Sequence, residues 1–238
     1  MTTKPNALRI AGGAKKTALC VVAATTLLAG CSSAPPKTGE QSYEVTEKIA
    51  SLRIDDYAGG IEVVPGGGDV VKVTEKYEYG DGQPRTEHSV KGGELVLKSN
   101  GCGSGSDKCA VKYHVEVPAS VATHLTLGGG EISVRGLSGT TYAKSDGGSV
   151  RITDSSAKTV TAAVDGGDVS LHFVAAPDKV DAGTDGGDST VRLPEGVYDV
   201  DAQTEGGSRT VGVKTDSGSP HKIKAHTGGG NVSVLFAG

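Results

Sequence analysis

Six glycine doublets punctuate the C-terminal half of this chain: Gly129-Gly130, Gly147-Gly148, Gly166-Gly167, Gly186-Gly187, Gly206-Gly207 and Gly229-Gly230. They recur at intervals of roughly twenty residues, the length of one rung of a β-solenoid, in which each unit covers its apolar face only by stacking on its neighbours. The period therefore speaks first to architecture and only then to chemistry.

Aligning the doublets exposes the content of each unit. Four positions before the doublet stand Leu125, Ala143, Ala162, Ala182, Ala202 and Ala225, and six before it stand Thr123, Thr141, Val160, Val180, Val200 and Ile223. A column of small residues at one register marks an interior line along which equivalent rungs stack in turn. After the doublet a second alternating run begins, as in Ile132 and Val134, or Val150 and Ile152. Strict alternation is the signature of strands with one buried face. In the fourth and fifth units the apolar pairs Val191/Leu193 and Val211/Val213 come two residues later, which predicts a bulge or a longer turn. The expectation is an all-β, β-solenoid-like stack of two-strand rungs of about twenty residues. A meander of antiparallel hairpins remains open, because Asp-Gly-Gly is also a good tight-turn sequence. A left-handed backbone at the doublets would explain their glycines.

Before the repeats, residues 1–30 have a different character. Lys4, Arg9, Lys15 and Lys16 precede an apolar run from Thr17 to Leu28, which ends in Leu28-Ala29-Gly30-Cys31. A basic start, an apolar run too short to span a bilayer and small residues before a cysteine read as a lipoprotein signal peptide, cleaved to leave a diacylated Cys31. Membrane attachment through diacylglyceryl on Cys31, outside the cytoplasm, is the corresponding expectation. Residues 31–42, with Pro35-Pro36, read as a flexible tether. The Ala- and Thr-rich leader points to an actinobacterial source.

With Cys20 removed and Cys31 lipidated, the mature chain keeps only Cys102 and Cys109. In an oxidising compartment such a pair across a glycine-rich loop is most simply a disulfide, with a metal site as the rival reading. The whole chain carries a net charge of -4, and losing the four positive charges of the leader takes it to -8. An acidic chain without a basic run argues against nucleic acid as a partner.

Residues 43–118 form an irregular opening to the domain, which runs from 43 to 238, with the regular repeats at 119–238. Gly59-Gly60, Gly67-Gly68 and Gly92-Gly93 fall at uneven spacing. Val71, Val73, Tyr77 and Tyr79 share one face of a strand, as do Val111, Tyr113, Val115 and Val117 of another. This region is expected to be a wider sheet, partly antiparallel, that caps the first rung.

Here the pattern can be compared with a family. Tyr-x-Val, Leu-x-Ile and Gly-Gly-Ile-Glu-Val between Tyr43 and Val63 are followed by Gly-Glu-Leu-Val-Leu at Gly93 to Leu97. Val-Glu-Val-Pro at Val115 to Pro118 and Gly-Gly-Glu-Ile-Ser-Val-Arg-Gly-Leu-Ser-Gly at Gly129 to Gly139 complete the series. Together they resemble the bacterial β-strand-repeat family labelled "putative adhesin", a domain of unknown function on envelope proteins. The resemblance covers residues 43–238. It implies a solenoid-like fold, an extracytoplasmic address and no established enzymatic activity, and it supplies no catalytic residues.

The chemistry legible in the chain is sparse. Immediately before four doublets stand Asp146, Asp165, Asp185 and Glu205, with Asp168 and Asp188 just after two of them. Stacked on adjacent rungs at about 5 Å, the four acids would either hold Ca²⁺ or serve as turn residues facing water. The turn reading is preferred, so no metal and no cofactor is expected. His88, His114, His124, His172, His221 and His226 are scattered, without metal-ligand or catalytic spacing. Tyr77, Tyr79 and Tyr113 fall on apolar faces and read as core, and with 4% aromatics a sugar-binding groove has little to build on. The functional expectation is a non-enzymatic structural or adhesion module, monomeric, with an envelope protein or cell wall as partner. Envelope sensing through a membrane partner is the alternative, and a polysaccharide-acting β-helix enzyme a minor one.

Overall fold

A computed structural model describes residues 35–102 and 109–238; the leader, Cys31 and the start of the tether lie outside the described residues. Pro35–Gly238 form one compact unit. Among the described residues the structure is β throughout. The opening region supplies β1 (Lys37–Val45), β2 (Ser51–Pro65), β3 (Val71–Tyr79), β4 (Thr86–Lys91), β5 (Glu94–Ser99) and β6 (Cys109–Val117). The first repeats supply β7 (Ala122–Arg135), β8 (Thr141–Gly147), β9 (Val150–Ser155), β10 (Thr159–Val164), β11 (Val169–Phe173) and β12 (Lys179–Thr184). The last supply β13 (Ser189–Leu193), β14 (Val197–Thr204), β15 (Arg209–Val211), β16 (Lys214–Thr215), β17 (Lys222–Thr227) and β18 (Val232–Phe236).

One continuous sheet folds into two walls along the line of doublets. β2 and β7 run through both walls and pair in parallel on either side of the corner, from Ser51↔Ala122 to Val63↔Val134. Every later repeat places one strand in each wall and pairs in parallel with its neighbours, which excludes the hairpin meander. A single core fills the space between the walls. In the opening region, β5 and β6 each cover one half of β2 in parallel, and β1, β3 and β4 close that end antiparallel. Gly92 and Gly93, at φ 61° and 80°, form the two-residue turn between β4 and β5. Gly59-Gly60 is not irregular at all, since Gly59 pairs with Gly130 and Gly60 with Glu131 at the same corner.

The reading of 31–42 as a tether needs correction at its end. β1 starts at Lys37 and pairs with β3 from Lys37↔Tyr79 to Val45↔Val71, so residues 37–42 are part of the sheet. The step in the fourth and fifth units is also not a bulge. Ser189 pairs with Val169, and Arg209 with Val232, so the register holds and a polar residue simply takes the inward position. Ser189 is fully buried and donates its hydroxyl to the Ala182 carbonyl at 2.9 Å.

The largest departure from expectation is the order of rungs. The alanine column exists, but its pairings run Leu125↔Ala143, Ala143↔Ala162, Ala162↔Ala182, Ala182↔Ala225 and Ala225↔Ala202. The last repeat in sequence is thus inserted between the fourth and the fifth, with β17 between β12 and β14, and β18 between β13 and β15. A physical reason is visible in the fifth repeat. Its inward position after the corner is Arg209, where other rungs carry Val150, Val169 or Val232. An arginine there would be buried in any interior rung, an expensive arrangement without a paired charge. At the open end it stays exposed and donates Nε to the Ala202 carbonyl at 2.8 Å. An inward-pointing charge on a terminal strand also protects the edge from pairing with another chain.

Candidate functional site

The glycine corner is the most regular feature of the surface, and each of its residues has a distinct task. A Cβ on the second glycine of a doublet would overlap the carbonyl oxygen of the equivalent glycine one rung away: Gly148 on Gly130, Gly167 on Gly148, Gly187 on Gly167, Gly230 on Gly187 and Gly207 on Gly230. Close backbone approach, not a left-handed backbone, requires these glycines. Only Gly59 and Gly130 at the corner have positive φ, 134° and 129°. The first glycine of each doublet has more room, with 3.8 Å from a Cβ on Gly166 to the Asp146 carbonyl oxygen.

Two ladders of side chains tie successive corners together. Thr184, Thr227 and Thr204 donate their hydroxyls to the carbonyls of Gly167, Gly187 and Gly230 at 2.6, 2.7 and 2.7 Å, and Ser145 donates to Gly130 at 3.1 Å. The same threonine oxygens accept from Gly187, Gly230 and Gly207 N–H at 3.0 to 3.2 Å. One position past the doublets, Asp168 Oδ1 accepts from Asp188 N–H at 2.9 Å, and Asp188 Oδ1 from Asn231 N–H at 2.7 Å. Asn231 Oδ1 then accepts from Ser208 N–H at 3.0 Å. Both ladders follow the inserted order of rungs. Asp168 and Asp188 therefore hold the backbone of the next corner.

The acids before the doublets do not form the column that their sequence spacing implied. Asp146, Asp165 and Asp185 occupy successive rungs, but the next rung presents Gly228, and Glu205 lies beyond it. All four acids are exposed, and Lys144 Nζ lies 3.0 Å from Asp146. That carboxylate holds the Lys144 ammonium above its ordinary pKa through a hydrogen bond and its charge. Among the described residues no three His, Cys, Asp or Glu side chains come together in a metal-holding group. The interruption leaves an open trough over Gly228, lined by Asp185, Glu205, Gln203, Lys224 and His226.

The histidines take separate places. His88 stacks on Tyr43 and His124 on Tyr142, each at 4.4 Å between ring centroids. Burial, and next the charge of Arg53, lower the pKa of His124. His114 Nδ1 lies 2.9 Å from Glu62, and His172 Nδ1 3.5 Å from Asp154. His221 Nδ1 is 2.7 Å from the Pro177 carbonyl, while His226 lies over Gly183 with Nδ1 3.7 Å from Asp181. His221 and His226 share the last repeat, just before β17 and near its end, and the six histidines do not converge. Cys102 and Cys109 are joined in a disulfide that closes the loop before β6.

Sequence reasoning missed a polar cluster inside the opening region. Glu75, 1% exposed, accepts from Tyr43 at 2.7 Å and from Tyr77 at 2.6 Å. Asp56 is buried on the inward face of β2, and Tyr113 is buried with its hydroxyl unpaired. Tyr77 and Tyr113 are core residues as expected, with Tyr79 partly buried against the core. The signal was in plain view: Glu75 sits between Val73 and Tyr77 on an otherwise apolar face.

Outside the walls, side chains stand in rows at the strand spacing. One row crosses the first wall as Arg53, His124, Tyr142, Thr161, Asp181, Lys224 and Asp201. Another crosses the second as Glu62, Ser133, Arg151, Ser170, Thr190, Ser233 and Thr210. Such faces offer many hydrogen-bonding groups at fixed separations and no convergent pocket chemistry.

The profile of a family described as Toastrack DUF4097 matches residues 115–235. No curated protein matches the sequence. The fold is similar to that of a "putative cell adhesion protein" from Clostridium sporogenes, at 15% identity over 84% of this chain and 99% of that one, with a TM-score of 0.44. It is also similar to a "putative adhesin" from Bacteroides fragilis, at 15% identity, 84% and 97% coverage and a TM-score of 0.48. A "putative lipid binding protein" from Parabacteroides distasonis aligns at 9% identity over 84% and 94%, with a TM-score of 0.32.

Proposed function

This chain belongs to the Toastrack DUF4097 family, and from that premise we propose that it is a non-enzymatic interaction module of the cell envelope, anchored through a lipid on Cys31. The observation that carries the reading is the pair of outer walls. Parallel ladders and the two corner ladders fix each rung to the next, so the rows from Arg53 to Asp201 and from Glu62 to Thr210 present polar groups with little freedom to reorganise. A preordered surface loses less entropy on binding an extended partner than a flexible one. The partner is an envelope protein or a cell-wall polymer, and the module acts as a monomer.

The anchor supplies the address. The basic start, the apolar run and Leu28-Ala29-Gly30-Cys31 support lipidation. Replacing Cys31 by serine is expected to move most of the protein from the membrane fraction to the soluble or secreted fraction. Globomycin should cause the unprocessed form to accumulate. Full membrane retention of Cys31→Ser contradicts the anchor. Proximity labelling in living cells tests the rest: labels confined to envelope components fit the proposal, and labels confined to cytoplasmic proteins overturn it.

A further inference from the structure

Among the described residues, the interior of the opening region holds two carboxyl groups and no basic partner. Asp56, 8% exposed, faces inward from β2, and Glu75 faces inward from β3. Both Glu75 oxygens are engaged by tyrosine hydroxyls. Asp56 is only half satisfied: Oδ1 accepts from Tyr57 N–H at 2.7 Å, while Oδ2 is buried without a partner, as is the Tyr113 hydroxyl. Lys, Arg and His are absent from the buried side chains among the described residues. The ionisable groups around Asp56 are Glu75 and Tyr77 from β3, Tyr113 from β6 and Tyr43 from β1, with His88 of β4 stacked on Tyr43. Ser99 of β5 lies beside it. Each of these is neutral or acidic apart from His88, whose residue is exposed.

An ionised Asp56 in this setting is a buried charge with an orphaned oxygen, facing a second carboxylate. A proton removes the charge that burial penalises and with it the repulsion between Asp56 and Glu75. We propose that this end of the stack is an acid-tightened clasp: Asp56 takes a proton from solvent, and β1, β3 and β6 then hold more firmly to β2.

Burial pushes the Asp56 carboxyl up to about 6, with the Glu75 charge adding to the rise and the Tyr57 and Ala58 N–H groups and Ser99 opposing it. Because the folded pKa exceeds the unfolded value, this group's stabilisation is fully present below the unfolded pKa and is lost as pH rises through the folded one. Between pH 7.5 and pH 5 the folding equilibrium constant should therefore gain about tenfold from this group. His124, whose pKa is lowered, works in the opposite direction, so the contribution is read as a difference between proteins.

The test compares the purified full chain with Asp56→Asn, by denaturant titration and amide hydrogen exchange at pH 5.0 and 7.5. Wild type is expected to gain about tenfold more than Asp56→Asn on acidification, with slower exchange in β1, β3 and β6. Equal pH responses overturn the proposal. Should Asp56→Asn fail to fold, a ¹³C titration of the Asp56 carboxyl in wild type decides: a midpoint above that of an ordinary aspartate supports the clasp, and an ordinary or lower one rejects it. Stabilisation of wild type at pH 7.5 by millimolar Ca²⁺, absent in Asp56→Asn, would assign the orphaned oxygen to a cation and also overturn it.

Discussion

Alanine at Gly167 is expected to destabilise the protein by about 3 kcal/mol, while alanine at Gly166, one residue earlier, should change stability by less than about 1 kcal/mol. The two glycines are adjacent and neither has positive φ, so backbone strain does not distinguish them. Space does. A Cβ on Gly167 overlaps the Gly148 carbonyl oxygen, an immovable part of the next corner, whereas at Gly166 the nearest atom is 3.8 Å away. Relief at Gly167 requires its rung to separate from the one that carries Gly148, and that stretches the bond from Asp168 N–H to the Ser149 hydroxyl beside the same turn. For a domain of this size the expected loss corresponds to roughly 6 to 12 °C in melting temperature. Thermal and urea unfolding of the two variants measures it, and equal effects would mean that conformation rather than close approach selects the doublets.

Removing residues 222–238 is expected to have a still broader effect. The deletion takes away β17 and β18, and with them the neighbours of β14 and β15. Ile223, Ala225, Val232 and Val234 are all buried, and losing the three larger side chains alone forfeits roughly 5 kcal/mol or more of apolar burial. To fill the vacant slot the fifth repeat would have to shift across it and rebuild its pairing on β12 and β13, with Arg209 opposite Ser189 in place of Val232. The account therefore expects residues 194–221 to become protease-sensitive and rapidly exchanging, while the rungs from β7 to β11 remain protected. A truncated chain with an intact, protected fifth repeat would show that the inserted rung is dispensable.

Much of the rung itself was legible in the sequence, because alternation and a period near twenty are direct consequences of a two-strand unit with one buried face. The alanine column, the inward valines and the disulfide partners all follow from local spacing. What spacing could not convey was which rung lies next to which. Parallel rungs with the same alternation can pair in several orders, and the doublets are alike in each of them. The discriminating residue was Arg209, whose charge at an inward position marks a terminal rung; counted as a break in step, it concealed the insertion. The acidic column failed for the same reason, since Gly228 separates Asp185 from Glu205 only in the inserted order. Glu75 was legible in principle, being a charged residue in the alternation of Val71, Val73 and Tyr77, whereas Asp56 required knowledge of where β2 turns.

The inserted rung is tested most directly by paired cysteines on the outer face of the first wall. Asp181 and Lys224 are register partners, as are Lys224 and Asp201. Neighbouring parallel strands lie about 4.8 Å apart, within reach of a disulfide, and strands two places apart lie roughly 9.6 Å apart, beyond it. Under mild oxidation of the folded protein, Asp181→Cys with Lys224→Cys is expected to cross-link, and Asp181→Cys with Asp201→Cys is expected to stay reduced. Cross-linking of the second pair but not the first would contradict the account, since it would place the fifth repeat directly on the fourth and return the stack to the order of the sequence.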